Sequence, residues 1–178
     1  MNKTYQQFLK ENSGKTAVYT FGRFNPPTIG HEKLLRVVDT TSSKEGGDHF
    51  IYTSHSQDSK KNPLSHKQKI NFLKLIFPKH RAFVEDSRAT TALHAASEIY
   101  DKSGYSKLIM VVGSDRVRDF SSLLNRYNDK KSKHGYYNFD SIEVVSAGER
   151  DPDADGAEGM SASKMRQAVV DGDYEVFK

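Results

Sequence analysis

Residues 16–31 read TAVYTFGRFNPPTIGH, and this stretch decides how the rest of the chain is arranged. Thr16–Gly22 is rich in apolar and aromatic residues, which predicts a first buried strand. A turn rich in glycine and proline follows, and Gly30 then opens a helical pattern that continues to about Thr40. A strand that leads through such a turn into a helix is typical of the opening unit of a parallel α/β fold.

The rest of the chain continues this alternation of strand and helix patterns. Lys107–Gly113 is the clearest buried parallel strand. Further strands are predicted at Phe50–Thr53, Arg81–Val84 and Ser141–Ser146, and further helices at His66–Phe77, Thr90–Ser103, Asp115–Tyr127 and Ser161–Asp171. We therefore predict an α/β fold, namely a Rossmann-like, doubly wound parallel sheet of five strands with helices on both faces. We expect residues 1–15 to form an N-terminal arm and residues 16–178 to form the single domain.

Composition narrows the class of protein without giving its function. The 178 residues include no cysteine, which excludes disulfides and thiolate metal sites. The N-terminus lacks the apolar core of a secretory signal, and no apolar stretch is long enough to span a membrane, so we expect a cytoplasmic protein. A net charge of +4 suits a phosphate-rich ligand, whereas no pattern of an RNA-recognition module is visible. The last residues, 172–178, look like an unfinished amphipathic segment, which suggests an excerpt of a longer protein.

The turn after the first strand carries residues suited to binding phosphate. In doubly wound folds, ligands bind at the carboxyl ends of the strands, where the strand order reverses. Gly22 and Gly30 would let the backbone approach a phosphate closely, because they have no Cβ atom. Gly30 and His31 fall at a helix N-terminus, which attracts anions, and His31 adds a hydrogen-bond donor. The alternative is a proline-rich turn whose histidine faces solvent.

GRFNPPTIGH resembles the (H/T)xGH signature of the nucleotidyltransferases, and its GRF-x-P opening looks most like the archaeal-type nicotinamide-mononucleotide adenylyltransferases. Three later segments match that family in the same order. The segment 54–65 resembles the loop that ends in an Asn-Pro element, here Asn62-Pro63. The segment 111–115 resembles the Gly-x-Asp turn, and 159–166 resembles the second signature, S-x-T/S-x-x-R.

The resemblance implies a function and a set of site residues. It implies a nucleotidyltransferase that moves a nucleoside monophosphate from a triphosphate, ATP by preference, onto a phosphorylated acceptor with release of pyrophosphate. Nicotinamide mononucleotide is the favoured acceptor, and Mg²⁺ is expected on the nucleotide phosphates, with no metal-ligating residue in the protein. The implied catalytic residues are His31, Thr28 and Arg166, and the implied nucleotide-binding residues are Gly22, Arg23, Phe24, Gly30, Asn62, Gly113, Asp115, Ser161, Ser163 and Lys164. We expect no membrane or nucleic-acid partner, and a homo-oligomer is left open.

Departures from the family pattern keep alternatives open. Thr28 stands where many members have histidine, and the chain has no tryptophan to stack on a pyridine ring. A CTP-dependent cytidylyltransferase and a non-catalytic nucleotide-binding or assembly protein therefore stay as alternatives. Asp115 could cap the following helix, in place of a ligand role or together with it, and 161–166 could be an ordinary capped helix with surface cations. A P-loop at 13–16 is rejected because position 9 is Leu9, and a calcium loop at 151–156 lacks its closing glutamate.

Overall fold

A computed structural model describes Thr4 and residues 14–149 of the chain. In this part of the chain the strands are β1 (Lys15–Gly22), β2 (Asp48–Thr53), β3 (Tyr105–Val112) and β4 (Ser141–Ser146). The helices are α1 (His31–Glu45), α2 (His66–Ile76), α3 (Ala92–Asp101) and α4 (Val117–Arg126). Short 3₁₀ helices span Pro78–Phe83 and Ser114–Arg116. None of the helices in these ranges is long and apolar enough to cross a membrane.

The strands form one parallel sheet in the order β2-β1-β3-β4, and helices cover both of its faces. Alternate residues of β1 point to opposite faces, as the pleat requires. Tyr19 packs in the larger core cluster with residues of α3 and α4. Val18 lies on the other face in a cluster with Val38 of α1, and a neighbouring cluster there joins α1 to α2. The predicted α/β architecture with helices on both faces is therefore confirmed.

The strand order reverses between β1 and β3. In α/β folds the ligand-binding crevice lies at such a reversal. The chain passes from β1 through α1 to β2 on one side of β1, and then crosses to β3 on its other side. The turns that leave β1 and β3 consequently diverge at the carboxyl edge of the sheet. A crevice opens at such a switch point, and α/β proteins bind their ligands there. Gly22 ends β1 and Gly113 follows β3, so both lie at this switch point.

The prediction of a strand at Arg81–Val84 is wrong. Residues Pro78–Phe83 form a 3₁₀ helix, which Pro78 begins because its fixed φ angle suits the first position of a helical turn. Only Val84 reaches the sheet, through one isolated parallel bridge to Ile51 at the outer side of β2. The described part of the sheet therefore has four strands instead of five. The predicted helix at 161–171 lies outside the described residues.

Candidate active site

The turn that leaves β1 is built around the buried ring of Phe24. Phe24 has a φ of 44° and is 2% exposed, and the peptide bond between Asn25 and Pro26 is cis. Its ring folds back onto Gly22, where a Cβ atom would lie 2.8 Å from Phe24 Cε2. On its other side the ring contacts His31, with 4.9 Å between the ring centroids. Phe24 therefore packs against both Gly22 and the His31 ring. The lack of a side chain at Gly22 leaves the space that the Phe24 ring occupies.

His31 is held by the backbone of its own turn. Nδ1 accepts a hydrogen bond of 2.9 Å from the Thr28 backbone N–H, and the Thr28 hydroxyl lies 3.2 Å from the same nitrogen. The His31 N–H in turn donates to the Thr28 carbonyl, 2.9 Å away. A backbone N–H can only donate, so Nδ1 is the acceptor and the proton of the neutral ring sits on Nε2. The turn thus fixes both the ring orientation and the tautomer that presents an Nε2–H donor.

Thr28 and Gly30 have different surroundings in this turn, since Thr28 is buried against His31 and Gly30 is exposed. Thr28 is 6% exposed, and its hydroxyl is directed at His31. Gly30 is exposed and precedes α1 with an ordinary helical φ of −59°. Among the described residues, a Cβ atom at Gly30 would meet only the Thr28 Oγ1, at 3.5 Å. Within that part of the chain neither backbone strain nor crowding requires glycine there, whereas close approach of a ligand would require it.

The two glycines give a matched pair of alanine variants. Gly30→Ala is expected to fold as the wild type does and to weaken triphosphate binding at least about tenfold, because the new methyl group fills space that a phosphate would use. Gly22→Ala is expected to lower the free energy of unfolding by about 1–3 kcal/mol, since its Cβ overlaps the Phe24 ring. Thermal unfolding and nucleotide titration of both variants check this. Wild-type affinity in Gly30→Ala would remove that residue from the site.

The loop after β2 is fastened to the turn after β1. The Asn25 amide donates 3.2 Å to the Leu64 carbonyl, and the Leu64 N–H donates 2.9 Å to Asn25 Oδ1. Further along the loop, Asn62 donates 2.6 Å to Asp58 Oδ2. The Lys61 and Lys60 backbone N–H groups donate to Asp58 Oδ1. The bond from Lys61, followed by those from the Asn62 side chain and from Lys60, holds the pKa of Asp58 well below its usual range. Asn62 thus shapes this loop in the structure.

Lys69 is a buried cation at this edge of the sheet that the sequence analysis did not single out. It lies on α2 with 0% of its surface exposed, and its Nζ donates 3.1 Å to Ser54 Oγ and 3.3 Å to the Ser56 carbonyl. No carboxylate lies within 4 Å of this nitrogen among residues 14–149. Burial, followed by the nearby positive charge of Arg23, lowers the pKa of Lys69 to about 8. A cation with no carboxylate partner among the described residues is costly to bury, and Lys69 is therefore a candidate ligand for an anion.

A stacked pair of histidines lies beside Lys69. The rings of His55 and His66 are nearly parallel, with centroids 3.8 Å apart. His55 Nε2 lies 2.7 Å from the Ser87 carbonyl, and His66 Nδ1 lies 3.4 Å from the Ser54 carbonyl. Burial, followed by the neighbouring His55 ring, lowers the pKa of His66. The pair joins the loop after β2 to the segment that leads to α3.

The turn after β3 brings Gly113 and Asp115 to the opposite side of the crevice. Gly113 is half-buried and Asp115 is exposed within the 3₁₀ helix Ser114–Arg116, where its Oδ2 lies 3.9 Å from Arg116 Nε. The N-cap of α4 is Arg116 and carries no side-chain hydrogen bond. The alternative that Asp115 caps the following helix is therefore wrong.

The sequence of this chain matches a known protein family. The cytidylyltransferase-like family matches residues 19–168, which is most of the chain. The chain belongs to the cytidylyltransferase-like family. No curated protein and no solved structure gives a significant match to it. Membership in this family supports nucleotidyl transfer as the general activity and a nucleotide as substrate. The matched residues run from within β1 to the end of the second signature.

The crevice of this cytidylyltransferase-like domain is assembled from several turns at one edge of the sheet. The described structure brings the turn around His31, the Arg23 side of the β1 turn, the loop of Asn62 and the Gly113–Asp115 turn to that edge. Four predicted site residues, Ser161, Ser163, Lys164 and Arg166, lie outside the described residues. On the β1 and β2 side lie a donor at His31 Nε2, the exposed Gly30 and, beneath the surface, the buried ammonium of Lys69, and each of these groups is suited to phosphate oxygens.

Proposed function

We propose that this domain transfers an adenylyl group from ATP to a phosphorylated acceptor, with nicotinamide mononucleotide as the preferred acceptor and NAD and pyrophosphate as products. The observation that carries the proposal is the fixed His31 ring, which Thr28 holds at the start of α1 beside the strand switch. A preorganised donor at a helix N-terminus is suited to stabilising charge that develops on phosphate oxygens. The preference for ATP and for this acceptor rests on the likeness of the GRF-x-P opening.

The proposed reaction is a direct in-line displacement. A phosphate oxygen of the acceptor attacks the α-phosphorus of the triphosphate, and the bond from that phosphorus to the oxygen bridging it to the β-phosphorus breaks. The bond electrons stay on the departing pyrophosphate, and no proton has to be removed from an ionised acceptor phosphate. The protein's contribution is therefore to position both substrates and to neutralise the growing charge.

In the proposal, the site residues predicted from the sequence divide this work with Lys69. His31 donates from Nε2 to an oxygen of the α- or β-phosphate as negative charge moves toward the leaving group. Thr28 is a positioning residue that acts through His31, because its buried hydroxyl lies against Nδ1. Arg23 and Lys69 bind the acceptor phosphate, whose charge would offset the cost of burying the Lys69 ammonium. Arg166, together with Ser161, Ser163 and Lys164, holds the departing pyrophosphate.

Magnesium enters the proposal together with the nucleotide. Within residues 14–149, no three His, Asp or Glu side chains are grouped so that they could hold a metal ion. Mg²⁺ keeps several waters and often binds through substrate phosphates, so a site made mostly by the triphosphate fits these residues. It would neutralise phosphate charge while the side chains described above orient the substrates.

A pyrophosphate-release assay tests the proposal. Purified protein is supplied with Mg²⁺ and either ATP or CTP, against nicotinamide mononucleotide, a phosphorylated alcohol and a sugar phosphate. Release only with ATP and nicotinamide mononucleotide, with NAD found as product, is the expected result. Release with CTP alone would assign a cytidylyltransferase. Measurable ATP binding without turnover on any acceptor would favour a nucleotide-binding protein that has kept the fold.

A further inference from the structure

The side chain of Lys33 reaches across the carboxyl edge of the sheet from α1 to the turn after β4. Lys33 lies in the first turn of α1. A Cβ atom built on Gly148 would lie 2.5 Å from Lys33 Nζ, so the ammonium sits directly beside this glycine. Gly148 has a φ of 101° and follows β4 by two residues. The absence of a side chain at Gly148 provides the space that the ammonium occupies.

The fold itself makes no evident use of this charge. A cation in the first turn opposes the helix dipole, which favours negative groups at that end. Among residues 14–149, no carboxylate lies within 4 Å of the Lys33 ammonium. Gly148 does not need it either, since its N–H donates to Ser146 Oγ and its carbonyl accepts from the Ser114 N–H. Lys33 is exposed, and within the described part of the chain its donors are available to a ligand.

The position of Lys33 indicates which part of a ligand it would meet. Helix α1 packs on β1 and β3, through Val38 against Val18 and Ile109. A side chain that runs from the start of α1 to the turn after β4 passes over the end of β3, on the far side of the switch-point crevice from Lys69. Phosphates bound by His31 and Gly30 at the start of α1 would therefore extend toward Lys33 in one direction and toward Lys69 in the other.

We propose that Lys33 binds the β- or γ-phosphate of the nucleoside triphosphate and so makes the site select triphosphates over monophosphates. This inference rests on the proposed function, because it requires a triphosphate at the start of α1. The ammonium then holds the leaving pyrophosphate from the β4 side of the crevice. Lys33 is distinct in this from the cations of the second signature, which lie elsewhere in the chain.

The test is calorimetric titration of Lys33→Met with ATP, ADP and AMP in the presence of Mg²⁺. Loss of one charge-assisted hydrogen bond to phosphate should weaken ATP binding by about 10–100-fold and leave AMP binding within about twofold. Lys44→Met is the matched control, since it removes the same charge from the last turn of the same helix. Thermal unfolding of both variants reports whether the fold is retained, and Lys33→Arg should recover part of the ATP affinity.

The outcomes separate this inference from the proposed function. The wild-type protein is also titrated with CTP, and wild-type protein that binds neither ATP nor CTP would overturn both. Wild-type protein that binds ATP, with Lys33→Met unchanged, would overturn the role of Lys33 alone. Equal losses for ATP and AMP would also overturn it, because they would move the contact to the α-phosphate or the nucleoside. A variant that fails to fold is replaced by Lys33→Gln, for which the same ATP-against-AMP difference decides.

Discussion

Replacing His31 with alanine is expected to reduce the rate of nucleotidyl transfer by about 10²–10³-fold, the usual effect of losing one preorganised donor from such a site. The fold should survive, because His31 is only partly buried and Phe24 keeps its other contacts with the turn. The measurement is kcat for pyrophosphate release under saturating ATP and acceptor, with thermal unfolding as the check on folding. Turnover within about threefold of wild type would remove His31 from the chemistry.

Thr28→Val distinguishes the two roles that Thr28 could have. The variant removes the hydroxyl and leaves the backbone N–H that bonds to His31 Nδ1. If Thr28 acts only by positioning His31, kcat of the variant should fall by no more than about tenfold, with little change in the KM for ATP. A loss as large as that of His31→Ala, accompanied by a higher KM, would instead make the Thr28 hydroxyl a direct phosphate ligand. For the His31→Ala variant in this comparison, His134→Ala is a suitable control, since it removes a histidine from a different part of the surface.

Lys69→Met is expected to raise the free energy of unfolding and to weaken binding of the phosphorylated acceptor. The pKa of Lys69 falls from its ordinary 10.5 to about 8, so burying its charge costs on the order of 3 kcal/mol at neutral pH. Methionine has a similar shape without that charge. We expect a higher free energy of unfolding and at least about 30-fold weaker binding of the acceptor. Lys67→Met on the same helix, an exposed position, controls for the loss of one charge.

The direction in which the free energy of unfolding changes with pH tests whether Lys69 is a buried cation with a lowered pKa. Below pH 8 the folded and unfolded states both carry the proton, and the full cost of burial is present. Between pH 8 and 10.5 only the unfolded chain keeps it, so wild-type stability should rise relative to that of Lys69→Met over this range. Anion affinity should fall over the same range, since the neutral amine attracts the anion less. Parallel pH curves for wild type and Lys69→Met would contradict this assignment.

The part of the site that could be predicted from sequence is the part made by consecutive residues. Thr16–His31 carries its own strand, turn and helix signals, and the structure places β1, the turn and α1 accordingly. The boundaries of β4 were also predictable, because Ser141–Ser146 has a clear alternation between turns. The strand at Arg81–Val84 was not, since Pro78 favours a helical turn that local hydrophobicity does not reveal. Short apolar segments of this kind are ambiguous without their neighbours.

Lys69 could not be found from sequence because its importance comes from burial. In the sequence it is one of several lysines on an amphipathic helix, where a solvent-exposed position is the ordinary expectation. It becomes unusual only when α2 packs beside the ends of β1 and β2, so that Ser54 and Ser56 surround its ammonium. The same holds for Lys33, whose neighbour Gly148 is distant in sequence. Both cations depend on the tertiary arrangement for their proposed roles.

The paired hydrogen bonds between Asn25 and Leu64 have a consequence for the timing of binding. They join two loops into one body, so neither loop can open without breaking buried hydrogen bonds on both. The turn that carries Gly30 and His31 should consequently be in its binding geometry before a triphosphate arrives, and little reorganisation of this turn would precede the encounter. We therefore expect single-exponential association of a triphosphate, at a rate that increases linearly with its concentration. Asn25→Ala would uncouple the loops and add a slower phase.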